Sequence, residues 1–445
     1  MISIKCSQTV KPNEPTPNVQ LRLTVCDHVK PWSHTSTVYF YQQVLKNRFA
    51  SAVETLKSSL GDSLVHYYPF AGRLKWIGEG QLEVDCNEMG AEIIEAESEA
   101  KIEDYGDFCP TTELSKLVPH VDYITADITK LPILLVQVTT FKCGGMCIGI
   151  SISHILADGI GAVQFISSWS KIARKEKVDI LPFHDRSVLS NSELPLAKLH
   201  FDHIELKDPP PLIRSRHNVN EEHTKETKVT MLKLTKEQVH KLKVHANEDK
   251  IKDGSRDYSR FEVIAGHIWK CASKARTHEH EQLTVLRTAV DCRKHIKPPL
   301  SSSYYGNAIT VATPMAKSGD LISLPLGYAT NKIRESVDKV SNNDYIRSYM
   351  EVLKSQPDVT PFGDSTKGGR AFYGNPNLAL TSWLGLSIYD SDFGWGKPIY
   401  MGPATLNNVD GKSFIIPGRD EASLIIPICL QVAHMDEFKN FFYQL

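Results

Sequence analysis

The chain has almost no net charge, no paired cysteine motif and no long apolar run. Its 445 residues carry 51 Lys and Arg against 52 Asp and Glu, a formal net charge of −1. Such a balance gives no global attraction to nucleic acid or acidic membranes, so an anionic ligand must be met by a local cluster. The nine cysteines (6, 26, 86, 109, 143, 147, 271, 292 and 429) form no Cys-x-x-Cys pair, and their number is odd. Cys143 and Cys147 enclose Gly144-Gly145-Met146 and have no second pair, so a zinc site is not expected and reduced thiols are. No window reaches 18 uninterrupted apolar residues, and Met1-Ile2-Ser3-Ile4-Lys5 lacks the apolar core of a signal peptide; a cytosolic location is expected. There is no Gly-x-Ser-x-Gly, which removes the usual serine-hydrolase signature. Internal repeats, heptads and low-complexity tracts are also missing.

What is present fits a soluble α/β protein of two similarly sized lobes. Residues 1–182 mix strands (37–41, 133–140, 146–153) with a helix at 49–60. Residues 183–228 hold Pro195, Pro209-Pro210-Pro211 and a polar run from Asn218 to Lys228, and read as a crossover that buries little. Residues 229–445 open with a strand at 229–234 and helices at 236–246 and 259–274. Strands follow at 284–290, 308–311, 378–382 and 422–430. A site at the junction of the two lobes is expected.

The chemistry concentrates in Ser153-His154-Ile155-Leu156-Ala157-Asp158-Gly159. Ile148, Ile150 and Ile152 alternate with Gly149, Ser151 and Ser153, the period of a half-buried strand. Ala162, Phe165, Ile166, Trp169 and Ile172 then recur at helical spacing, ending in Arg174-Lys175. His154 therefore stands at a strand-to-helix junction, with Gly159 and Gly161 read as permitting close approach. A neutral imidazole there can take a proton from a nucleophile, with neither metal nor covalent intermediate. A zinc hydrolase would need a third ligand that the spacing does not supply. The other His-x-x-x-Asp, His245 to Asp249, lies among Lys241, Lys243, Glu248, Lys250 and Lys252 and reads as a solvated helix face.

A second block, Asp392-Phe393-Gly394-Trp395-Gly396-Lys397-Pro398, reads as a tight, rigid turn. Together, His154-x-x-x-Asp158-Gly159 and Asp392-Phe393-Gly394-Trp395-Gly396 resemble the paired motifs of the plant BAHD acyl-CoA-dependent acyltransferases. The likeness extends through Tyr68 to Leu74, Phe141 to Gly145, Gly266 to Trp269 and Tyr305-Gly306-Asn307. It is nearest to the hydroxycinnamoyl-CoA transferases. Within them it is nearest to those acting on spermidine, through Phe372-Tyr373-Gly374-Asn375-Pro376-Asn377-Leu378 and Gln431 to Met435.

The resemblance implies two chloramphenicol-acetyltransferase-like lobes with mixed sheets and a channel between them, part of 370–400 being free to pack on the N-terminal lobe. It implies a monomer acting on small-molecule substrates, with acyl-CoA as a substrate and no resident cofactor or metal. His154 would be the general base, with Thr381 and Trp383 lining the reacting centre; core packing is the alternative for Trp383. Asp158 would turn away from His154 to pair with Arg293. Asp392, Gly394 and Gly396 would shape the lobe and the CoA entrance, Gly159 supporting the site.

For CoA phosphates, Lys252, Arg256, Ser259 and Arg260 are candidates, although solvated charges would look the same. For a polyamine acceptor such as spermidine, Tyr304, Tyr305, Glu351, Asp358 and Asp364 are candidates. Shikimate and quinate transferases of the family use an arginine at the position of Gly368, and Arg370 lies two residues on; a shifted loop could restore the clamp. O- or N-acylation of shikimate, quinate, malate or an aromatic amino acid is therefore the alternative. A non-catalytic acyl-CoA or phenolic binding protein is the more distant one.

Overall fold

The computed structural model describes residues 2–42, 49–78, 81–123, 126–190, 201–207, 225–248, 256–359, 362, 372–420 and 422–445. Two mixed sheets organise them. The first has the order β1 (Ile2–Val10), β6 (Ala91–Ser98), β7 (Leu134–Phe141), β8 (Met146–Ser153), β3 (His34–Tyr41) and β14 (Tyr400–Pro403). The second runs β11 (Ile309–Ala312), β10 (Leu283–Asp291), β13 (Leu378–Ser382), β15 (Lys412–Pro417), β16 (Leu424–Gln431) and β9 (Thr227–Leu234), with β12 (Met315–Lys317) also on β10. A small sheet joins β2 (Gln20–Arg22), β5 (Gln81–Asp85) and β4 (Arg73–Gly78). The pairing β6–β7 is parallel, as are β10–β13 and β13–β15.

β8 is buried along its whole length, on both faces, rather than half-buried. Its alternation is between large and small side chains. A Cβ on Gly149 would come within 2.0 Å of the Leu117 carbonyl oxygen, and Ser151 Oγ lies 2.8 Å from Ser36 Oγ on β3. The helix Phe49–His66 runs past Leu60 because Gly61 serves as a contact rather than a stop. Its Cα faces Asn13, whose Nδ2 donates to the Ser58 carbonyl at 3.1 Å and to Asp62 at 2.7 Å. The helix Arg260–Ala275 buries Ile264, Ala265, Ile268 and Trp269 against the second sheet, as its apolar pattern predicts.

The chain order is crossed. Residues 383–401, from the C-terminal half, enter the core of the first sheet: Phe393 meets Trp169 at 4.9 Å, and β14 pairs antiparallel with β3 from Tyr400↔Phe40 to Pro403↔Thr37. The described ends of the 183–228 segment also depart from a crossover that buries little. Phe183 donates to Ser303 and accepts from Tyr305, and Arg186, His203 and Glu205 are buried. Among the described residues no helix is long and apolar enough to cross a membrane, and no group of three metal-ligating side chains occurs. All nine cysteines are free thiols, with Cys143 exposed.

Four histidines carry a pH prediction. Burial lowers His34, His184, His267 and His278 to about 4 each, despite hydrogen bonds to Pro132, His66, Phe442 and Asn375 respectively. Unfolded, each titrates near ~6.5, so between these values the unfolded chain binds more protons. Their contribution is therefore complete above about pH 6.5 and is lost as pH falls toward 4, at up to ~1.4 kcal/mol per pH unit for each histidine. The denaturant midpoint is expected to drop steeply from pH 7 to pH 5; a flat profile there would contradict the burial of these rings.

Candidate active site

β8 ends at Ser153, and the chain turns through His154-Ile155-Leu156 into the helix Gly159–Ala173. β13 of the other sheet ends at Ser382, one residue before Trp383. Both ends open on one cavity of about 3360 Å³, lined among others by His154, Asp158, Gly159, Thr381 and Trp383. His154 is half-buried there, its backbone N–H donating to the Ser33 carbonyl at 3.0 Å. The Trp383 ring packs on Phe414 at 5.0 Å while also facing the cavity, so packing and lining are both true of it.

Asp158 is 3 % exposed and turned into the protein. One carboxylate oxygen accepts from the Gly161 amide (3.0 Å) and Arg293 Nη2 (3.0 Å); the other accepts from Arg293 Nη1 (2.8 Å) and the Ala308 amide (3.1 Å). All its strong acceptor positions are occupied, by a bidentate guanidinium and two backbone amides. Asp158 is thus both the N-cap of the following helix and half of a buried ion pair. Arg293 reaches further, to Asp291 at 2.8 Å and the Gly306 carbonyl at 2.9 Å. Burial works against its charge, yet Asp158 and then Asp291 outweigh this and push its pKa above the ordinary arginine value.

Close approach falls on Gly161 more than on Gly159. A Cβ on Gly161 would sit 3.3 Å from Ala157 Cβ and 3.4 Å from the Tyr305 ring, whereas one on Gly159 meets only Leu386 at 3.4 Å. The Asp392 block is a turn built by Asp392 Oδ1, which accepts from the amides of Gly394 (2.8 Å) and Gly396 (2.9 Å). Both glycines have positive φ, +106° and +96°, where a side chain is disfavoured. Arg174 donates to the Asp392 carbonyl, tying the turn to the helix that starts beside His154.

Of the described acceptor candidates Asp358 lines the cavity and the others do not, Tyr305 being buried in the core beside Tyr67 and Phe70. Tyr304 is buried in a core cluster with Cys26, Cys292 and Ile346, its ring under the Arg293 guanidinium at 5.6 Å, and it is not on the cavity wall. Glu351 lies off that wall as well, salt-bridged to Lys354 at 2.7 Å. Asp364, Arg370 and Gly368 lie outside the described residues, as do Lys250 and Lys252.

Of the CoA candidates, Ser259 N-caps the helix Arg260–Ala275. Its hydroxyl accepts from the Glu262 amide at 3.3 Å, and Glu262 accepts from its N–H at 2.6 Å. Arg256 and Arg260 flank that cap and, like Ser259, are off the cavity wall. The other His-x-x-x-Asp behaves as a surface pair, His245 meeting Glu248 at 3.1 Å with both side chains more than half exposed. The Phe372–Leu378 stretch is a structural turn: Asn377 binds the Phe372 carbonyl and the Val285 amide, and Arg287 stacks over Phe372 at 4.1 Å.

Three buried residues carry site geometry that the sequence reading left without a role: Asp27, Arg186 and Asn307. Asp27 is 0 % exposed and pairs with Arg186 at 2.6 Å; Asn307 donates to Asp27 at 3.0 Å and to the His154 carbonyl at 3.0 Å. Burial alone would raise the Asp27 carboxyl, but Arg186, Asn307 and Thr24 hold it below its ordinary value. The local signals are the Tyr305-Gly306-Asn307 block and Thr24-Val25-Cys26-Asp27, a capping-box spacing in which the Asp27 carboxylate accepts the Thr24 amide.

The fold is a two-lobed mixed α/β one whose two open sheets each deliver one strand end to a shared cavity lined by His154. The Transferase family profile matches residues 1–445. The chain belongs to that family, as a BAHD-type acyltransferase. It is 54 % identical over 453 residues to hydroxycinnamoyl-CoA:piscidic acid hydroxycinnamoyltransferase of Actaea racemosa, with 100 % of both chains covered. It is 39 % identical to shikimate O-hydroxycinnamoyltransferase of Nicotiana tabacum, over 99 % of both. Among solved structures, vinorine synthase superposes with a TM-score of 0.73 at 22 % identity, covering 98 % of this chain and 96 % of that one.

Proposed function

We propose that this chain transfers a hydroxycinnamoyl group from its CoA thioester to a hydroxyl of a carboxylated acceptor. Two full-length relatives, one of them 54 % identical, are named for such transfer to piscidic acid and to shikimate. The observation that carries the mechanism is the commitment of Asp158 to Arg293, which leaves His154 facing the cavity with no triad carboxylate from that residue.

Neutral His154 takes the hydroxyl proton through Nε2 as the acceptor oxygen attacks the thioester carbonyl. The tetrahedral oxyanion then collapses, the C–S bond breaks, and the proton leaves with the CoA thiolate. Thr381 and Trp383 flank the reacting centre, Thr381 supplying a hydroxyl donor for the oxyanion. Both substrates occupy one cavity, which provides the proximity contribution. No resident cofactor enters this step.

The polyamine alternative has less support. A polyamine needs an anionic, aromatic-lined half-channel; of its described candidates Asp358 lines the cavity, whereas Tyr304 and Tyr305 face the core and Glu351 is tied to Lys354. In the stretch that suggested spermidine, Asn377 holds the turn while Tyr373 lines the cavity.

The test is free-thiol release from p-coumaroyl-CoA with piscidic acid, shikimate, quinate, malate, tyrosine and spermidine in parallel, products being identified by mass. Turnover with a carboxylated hydroxyl acceptor is expected. Turnover with spermidine alone would overturn the acceptor class. Binding of acyl-CoA without turnover on any acceptor would mark a non-catalytic binding protein.

A further inference from the structure

The turn that carries His154 exposes three consecutive carbonyls, none of them used in a sheet or helix ladder. Each is held by a side chain from far away. Asn307 Nδ2 donates to the His154 carbonyl at 3.0 Å and to the Ile155 carbonyl at 3.3 Å, and Arg186 Nη2 donates to the Leu156 carbonyl at 2.6 Å. Asn307 and Arg186 are in turn locked by one carboxylate. Asp27 Oδ1 receives the Asn307 amide N–H at 3.1 Å and Asn307 Nδ2 at 3.0 Å and forms an ion pair with Arg186 Nη1 at 2.6 Å, while Oδ2 receives the Thr24 amide and hydroxyl, both at 2.8 Å.

We propose that Asp27, Arg186 and Asn307 form a second clamp that aims the His154 side chain, with Asn307 as a positioning residue for the transfer step. This rests on the acyl-transfer reading above. The clamp is distinct from the Asp158–Arg293 pair, which grips the chain four residues later. It touches the peptide of His154 itself: fixing that carbonyl fixes ψ of residue 154, and hence the plane from which the following turn and the imidazole are set. Both clamps fasten on one short segment, since the Gly306 carbonyl accepts from Arg293 and the Ala308 amide donates to Asp158.

The amide of Asn307 has two hydrogens for three acceptors (Asp27 and the carbonyls of His154 and Ile155), so it bridges charge and turn as no hydroxyl or aliphatic side chain could. Removing it leaves space for a water, which can satisfy the His154 carbonyl without restoring direction. Loss of aim should appear in kcat. Ground-state affinity for either substrate should be spared, because the base acts only in the transition state.

The test is Asn307→Ala, with kcat and both KM values measured beside the melting temperature. A fall in kcat of about 10²-fold, as for a misplaced reacting group, with both KM values kept and the variant folded, is expected. Unchanged kcat in the folded variant would overturn the proposal. Should Asn307→Ala fail to fold, Asn307→Ser, which keeps one donor, is read by the same criteria. Carbethoxylation of His154 by diethyl pyrocarbonate, followed on its peptide by mass, needs no substrate and separates the two claims. If the unmodified enzyme transfers no acyl group, the acyl-transfer reading falls. The clamp then stands on a changed His154 modification rate in the variant and falls on an equal one.

Discussion

His154→Ala is expected to lower kcat by about 10²–10⁴-fold, the usual range for a positioned general base, while acyl-CoA binding persists. The half-buried ring stands at the end of β8, on a cavity wall shared with Thr381 and Trp383. Truncating it removes a proton acceptor and little of the core. A hydroxyl acceptor must then ionise unaided, or through water, as it attacks. Proximity of the two substrates survives, which is why some turnover should remain. The measurement is CoA release under saturating acceptor, beside acyl-CoA affinity by calorimetry. Loss of binding together with loss of turnover would place His154 in the substrate seat rather than in proton transfer.

Asp158→Ala should be the most destabilising single change at the site. As an N-cap alone, Asp158 contributes about 1 kcal/mol. As half of a buried pair with Arg293, its loss leaves a buried guanidinium short of its bidentate partner and two amides without an acceptor, a cost of ~3–5 kcal/mol. The ion pair therefore decides the magnitude. Asp291 softens the loss without replacing it: it also reaches Arg293 at 2.8 Å, but its side chain is 35 % exposed. Asp291→Ala should cost less, since partly exposed pairs contribute up to ~1 kcal/mol. Urea midpoints of the two variants should fall in that order. The reverse order, or a fully stable and inactive Asp158→Ala, would mean that Asp158 acts on the reaction directly.

Local signals carried much of the fold. β8, the helix Lys236–Ala246 and β13 begin and end where their patterns say, because each is bounded by turn residues and carries an unbroken period. The strand-to-helix turn at His154 was legible for the same reason. What could not be read is set by contacts across long separations. Asn307 meets Asp27 from 280 residues away, and Arg186 sits in a stretch whose prolines suggested exposure. Tyr304 offered an aromatic hydroxyl beside the Tyr305-Gly306-Asn307 block, yet its ring lies under Arg293 and faces the core. The alternation of β8 predicts one dry face and one wet face. Period two cannot distinguish that from large and small side chains packed on both sides.

The β3 edge of the first sheet is covered only when residues 400–403 arrive as β14. On the ribosome, β3 is therefore made early and its outer edge waits through some 360 residues of synthesis, since it ends at Tyr41 and its partner begins at Tyr400. An unpaired edge bearing Val38 and Phe40 invites pairing with another nascent chain. Production of this enzyme should accordingly depend on chaperone supply, and neither half should be recoverable alone.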